Sequence, residues 1–201
     1  MPTAFPLLVL RLNATLPQKN QLQSRGIAWR YEKTRESQGN IIMRIWAFYV
    51  LSLAFSAYWA SNLVLWFPWS YSPALGITMM LTVTPLLWAY VTILGLRAYP
   101  EKNIKFAAFI LAAVFLSVAI VADYIFFGLI RGGLEDLYQP TTFYGYGFLI
   151  FWPIAIATIF SKQIHCTMYL LKRKNIPHAI IPGAGCLVAL ILIIKFNIKL
   201  L

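Results

Sequence analysis

One acidic residue interrupts the apolar part of this chain. Asp123 stands inside the run from about residue 106 to residue 130. An aspartate near the middle of a membrane helix costs about 2.5–3.5 kcal/mol on insertion scales, so it needs a partner or a task. Its helical face is legible. Ala108, Ala112 and Ala119 precede it by 15, 11 and 4 residues, which at about 100° per residue puts all four within about 60° of arc. Small residues mark the face along which backbones approach closely. Asp123 is therefore expected to point into a bundle.

Depth selects the residues that meet it. Asp123 follows Lys105 by 18 residues, and Asn62 follows Arg44 by 18 on a helix running the same way. Thr78, early in a descending helix, and Tyr146, early in a later one, reach a similar level. We expect a polar layer of Asn62, Thr78, Asp123 and Tyr146 in the outer half of the membrane. Two chemistries suit it. One is polar glue between helices, worth about 0.6–2 kcal/mol per hydrogen bond. The other is a proton or cation site, or a ligand pocket open to the outside.

Nothing else in the sequence rises to a site. It holds no nucleophile elbow, P-loop, dinucleotide fingerprint or zinc-protease helix. Glu135 and Asp136 are adjacent but fall short of a calcium loop. His165, His178, Cys166 and Cys186 stand in no ligand or catalytic spacing. Catalytic residues, metal and cofactor are accordingly not assigned. Ser52, Ser56 and Ala60 repeat every four residues, a small-residue stripe that suits close helix packing, within the chain or in a homodimer.

The elements that must position Asp123 are apolar helices. Of 201 residues 60% are hydrophobic and 11% charged, with a mean hydropathy of +0.70. Soluble domains carry about 25% charged residues, and a domain this small cannot enclose so much apolar chain. A spanning helix takes about 20 apolar residues. Four runs qualify, at about residues 43–67, 73–96, 106–130 and 142–160. A fifth, at about residues 180–196, opens with Pro182-Gly183-Ala184-Gly185 and is expected to span as well. Pro85 and Pro153 are expected to kink their helices. The fold class is thus all-α, a transmembrane bundle of four or five helices.

The net charge of +11 is distributed between the runs rather than within them. Seven basic residues from Arg11 to Arg44 precede the first run, the next loop has none, and Arg97, Lys102 and Lys105 fill the one after. Arg131 is opposed by Glu135 and Asp136, and Lys162, Lys172, Arg173 and Lys174 follow the fourth run. This alternation puts the N-terminus in the cytoplasm, although a fifth span carries Lys195 and Lys199 outside. The same pattern argues against nucleic acid, whose single-strand binders interleave basic and aromatic residues. The partners expected are the bilayer, its anionic headgroups on the cytoplasmic face, and a homo- or hetero-oligomer. Residues 161–174, with Ile164, Met168 and Leu171 on one face, suit a helix lying along that inner surface.

Residues 1–42 are basic, polar and without a sustained helical period, and read as an extension on the inner leaflet. The Met43-Arg44-Ile45-Trp46 opening also suits a native start at Met43. Asn13-Ala14-Thr15 fits the glycosylation pattern, on what is expected to be the cytoplasmic side.

Gly95-Leu96-Arg97-Ala98-Tyr99 closes the second run, a basic turn follows, Asp123 comes late in the third run, and Phe148–Trp152 gives the fourth an aromatic stretch. In these features the region from about Met43 to Phe160 resembles a group of small bacterial four-helix inner-membrane proteins classed as a domain of unknown function. The resemblance implies a multi-pass bundle in a bacterial inner membrane and brings no activity or functional residue with it. The N-terminal extension and the fifth run depart from that pattern. The functional expectation is a non-enzymatic accessory subunit or a small channel- or transporter-like unit. A membrane-embedded enzyme acting on lipid or quinone is the alternative.

Overall fold

The computed structural model describes residues 18–130, 132–165 and 175–196, with the backbone alone for residues 18–37, 134, 136 and 165. The Asn13 match, Cys166, the basic stretch 172–174 and Lys199 lie outside the described residues. Two units divide the chain, Met1–Ile41 and Ile42–Leu201. In the first, the backbone is helical from Gln18 onward, where no apolar period announces a helix.

The second unit is all-helical among its described residues. Helix α1 (Gln18–Trp69) contributes its apolar part from Gln38, followed by α2 (Pro73–Arg97), α3 (Ile104–Ile125), α4 (Pro140–Ile159), the short α5 (Ser161–His165) and α6 (Asn175–Phe196). Among the described residues, five helices are long and apolar enough to cross a membrane: α1, α2, α3 with the turn that continues it, α4 and α6. The fifth helix is longer than the apolar run that announces it, because Asn175–Ala179 already belong to it.

Local chemistry sets the ends. Ser70, Tyr71 and Ser72 fold their amides back onto Trp66, Phe67 and Pro68 carbonyls, satisfying the last turn of α1. Pro73 then occupies the first turn of α2, where a missing N–H costs nothing. The Asn103 side chain accepts from Phe106 N at 3.1 Å and caps α3. Beyond Ile125 the helix widens into one π turn, Phe126–Ile130. Gly132 then takes φ 71°, a left-handed conformation that glycine adopts without strain, before a 3-10 turn at Leu134–Tyr138. Helices α2 and α4 run unbroken through Pro85 and Pro153.

The core is made of facing small and aromatic residues. Ala107, Ala108, Ala112, Ala119 and Ala122 of α3 are all buried, which lets neighbouring backbones approach. Trp88 meets Phe115 at a tilt, with ring centroids 4.9 Å apart, joining α2 to α3. A Cβ on Gly95 would lie 2.8 Å from Leu111 Cδ2, so a larger residue there requires the Leu111 side chain to shift. Trp46 donates its indole N–H to Gly95 O at 2.9 Å and meets Tyr99 edge-on, tying α1 to the far end of α2.

Helix α6 is fastened to α1 by a different device. Pro182 has no N–H, which removes one hydrogen bond from the ladder of α6. Beside it the Ser56 hydroxyl of α1 donates to Ala179 O and accepts from Gly183 N at 3.0 Å. One hydroxyl thus satisfies both a carbonyl and an amide of that turn. The approach requires glycine, because a Cβ at 183 would sit 2.5 Å from Ser56 Cα.

Candidate functional site

The site is built on α1, α3 and α4. Asp123 occupies the last regular turn of α3 and is half-buried. Its Oδ1 accepts from the Tyr58 hydroxyl of α1, and its Oδ2 accepts from the Tyr146 hydroxyl of α4 at 2.9 Å. Each carboxylate oxygen therefore holds a phenol from a different helix. Tyr58 is itself buried, with Trp59 edge-on at 5.0 Å, and Trp59 in turn meets Phe126, the first residue of the π turn. The phenols are presented from an aromatic wall.

The four residues expected to share a layer behave differently. Asp123 and Tyr146 are bonded to one another. Asn62 stays on its own helix, donating to Tyr58 O at 3.1 Å and accepting from Trp66 Nε1 at 3.3 Å. It lies one turn from the phenol that does reach Asp123. Thr78 is exposed and donates to Ala74 O of its own helix at 2.8 Å, so the structure leaves it out of the cluster. The residue that sequence reasoning missed is Tyr58. Its signal was a tyrosine on the Asn62 face, since a buried tyrosine hydroxyl seeks a partner.

The expected packing residues are placed as follows. Ala108, Ala112 and Ala119 are buried in the α3 core. Ser52 is buried and donates to Phe48 O at 2.8 Å, Ala60 is half-buried, and Ser56 meets α6. Within this chain the serine stripe thus has an intramolecular partner.

Among the described residues, no three His, Cys, Asp or Glu side chains group as metal ligands would. Several buried polar atoms there have no hydrogen-bond partner: Trp59 Nε1 and Ser61 Oγ on α1, Thr84 Oγ1 and Arg97 Nε on α2, and Trp152 Nε1 on α4. Two of these, on Trp59 and Ser61, follow Tyr58 within three residues. No family model, curated protein or solved structure matches the chain.

Chemically the arrangement is a carboxyl group held by two hydroxyls, in a stretch of helix otherwise surrounded by hydrocarbon side chains. It can fasten three helices, and it can change protonation state. Among the described residues, the side chains hydrogen-bonded to the Asp123 carboxyl are these two phenols.

Proposed function

We propose that this chain is a non-enzymatic integral protein of a bacterial inner membrane, with its N-terminus in the cytoplasm. Its role is that of an accessory subunit whose bundle is fastened at Asp123. The observation that carries this reading is the engagement of both carboxylate oxygens by phenols from two other helices. Removing a partner from such a pair leaves a polar group unpaired in hydrocarbon, which is why the contact holds α1 and α4 to α3. Arg97 at the end of α2, with Lys102 in the following turn and Lys105 in the first turn of α3, supports the orientation and an affinity for anionic headgroups.

The test is assembly. Tyr146→Phe and Asp123→Leu are expected to loosen α4 from α3 and to lower the detergent-unfolding midpoint, and unchanged midpoints for both would remove the fastening role. A transporter-like reading is favoured by a separate observation. The carboxyl is only half-buried and lies next to the π turn, a distortion often found at working sites in helices.

A further inference from the structure

The partners of Asp123 differ from those that lock a carboxylate. Arginine, lysine and backbone N–H groups only donate, so they hold a carboxylate in its ionised form. Tyrosine hydroxyls both donate and accept. With Asp123 ionised, Tyr58 and Tyr146 each donate to it, which is the observed arrangement. With Asp123 protonated, its own O–H donates to one phenol oxygen while the other phenol continues to donate. Only one hydroxyl rotates between the two states, so neither state strands a polar group at the carboxyl.

Among the described residues, no charged side chain is bonded to Asp123. Helix α1 contributes Tyr58 to the group and α4 contributes Tyr146. The π turn carries no titratable side chain. The 3-10 turn packed on α3 offers Glu135 and Tyr138, both exposed, and α2 offers Tyr90, exposed, and Arg97 at its last residue. A metal ion is poorly served here. It would need several oxygen ligands with free lone pairs, whereas both phenols direct hydrogens at the single carboxylate.

The phenol hydrogen displaced on protonation needs a new acceptor, and a proton needs a way in. Helix α1 supplies both along one face. Ser61 and Asn62 lie three and four residues beyond Tyr58, one turn nearer the Trp69 end of the helix. The Ser61 hydroxyl is buried without a partner, a place where water would satisfy it. Asn62 continues the line to the Trp66 indole. On the opposing helix, regular α-helix gives way at Phe126 to the π turn.

We propose that Asp123 is a proton-exchange site, reached along the Ser61–Asn62 face of α1 from the end of the bundle where that helix stops at Trp69. The ligand is a single proton. The inference rests on the membrane-spanning reading of the chain, and it adds exchange to the fastening role.

Aspartate occurs in this chain only at positions 123 and 136. In the full chain with Asp136→Asn and carboxyl-labelled aspartate, Asp123 is therefore the sole labelled carboxyl. Infrared spectra of that protein in proteoliposomes follow it directly. A labelled carboxylic-acid band should grow as pH falls, at the expense of the carboxylate band, and should shift promptly on transfer to heavy water. Ser61→Leu with Asn62→Leu should slow that shift at least about tenfold, the effect of ~1.4 kcal/mol on a barrier. Thr78→Leu should leave it unchanged. If the double variant fails to fold, Ser61→Val fills the same place with less bulk and is expected to slow the shift in the same direction. A band independent of pH, or an exchange rate indifferent to these plugs, overturns the proposal. The fastening role fails separately: a silent carboxyl with Tyr146→Phe still destabilising sinks exchange alone, and a titrating one with Tyr146→Phe neutral sinks the fastening alone.

Discussion

Substituting Gly183 by alanine tests the docking of the fifth helix. The added Cβ would lie 2.5 Å from Ser56 Cα, 2.6 Å from Ser56 Oγ and 2.9 Å from Phe55 Cδ1. Carbon atoms in ordinary contact sit at about 3.5–4.0 Å, so α6 must retreat from α1 by about 1 Å or more. The nearest atom belongs to backbone and cannot swing aside. Overpacking of this kind costs about 1–3 kcal/mol. The retreat also weakens the two Ser56 bonds to Ala179 O and Gly183 N, each worth about 0.6–1.7 kcal/mol in a membrane bundle. We expect Gly183→Ala to destabilise by about 2–5 kcal/mol. Gly185 provides the control two residues away, because a Cβ there meets nothing within 4 Å. Gly185→Ala should be neutral or slightly stabilising, since alanine favours helix. The assay is equilibrium unfolding in mixed micelles, read by helical circular dichroism. Equal midpoints for the two variants would refute the close α1–α6 crossing and the insertion of Ser56.

Other perturbations separate the contacts. Tyr146→Phe removes one of two bonds to Asp123 and should cost about 0.6–1.7 kcal/mol in the same assay, whereas Thr78→Val, whose hydroxyl serves only its own helix, should stay within about 0.5 kcal/mol. Trp46→Phe loses the bond to Gly95 O and leaves a void beside Tyr99, so a loss of about 1–3 kcal/mol is expected, with no change at the Asp123 infrared band. Burial, and after it the Glu101 carboxylate, push the Tyr99 phenol, which lies beyond the end of α2, above its ordinary 10.0. The folded chain then holds that proton more tightly than the unfolded one, so stability is untouched below pH 10.0 and falls as pH rises through and past it. Tyr99→Phe should flatten this alkaline decline in a series of unfolding midpoints, and an unchanged slope would dissociate the decline from Tyr99.

The helices were legible because hydrocarbon demands long apolar runs, and four of them stand out by composition alone. The fifth was legible only in part. Asn175, Pro177 and His178 are poor advertisements for a helix, yet the backbone is already helical at Asn175. Depth could be counted from flanking basic residues, but azimuth could not. Thr78 is a case in point: α2 is apolar all round, so no face of it announces which side meets α3. A count of 18 residues points to Asn62, while the bond is made by Tyr58, four residues earlier, whose phenol is the longer side chain. Ser52, Ser56 and Ala60 show a packing stripe in the sequence but not its partner. That partner emerges only because Gly183 lets the two backbones meet, which brings Ser56 onto Ala179 O and Gly183 N.

The claim on which these readings rest is that five helices each cross the bilayer. An odd number of crossings puts the two ends of the chain on opposite faces of the membrane. The direct measurement is paired accessibility: one impermeant-thiol target or short tag before residue 18, another after residue 196, in intact cells and in inverted vesicles. Labelling of the first only from the cytoplasmic face and of the second only from the outer face is expected. Both ends answering from the same face would contradict it, returning the chain to four crossings and leaving α6 without its seat on Ser56.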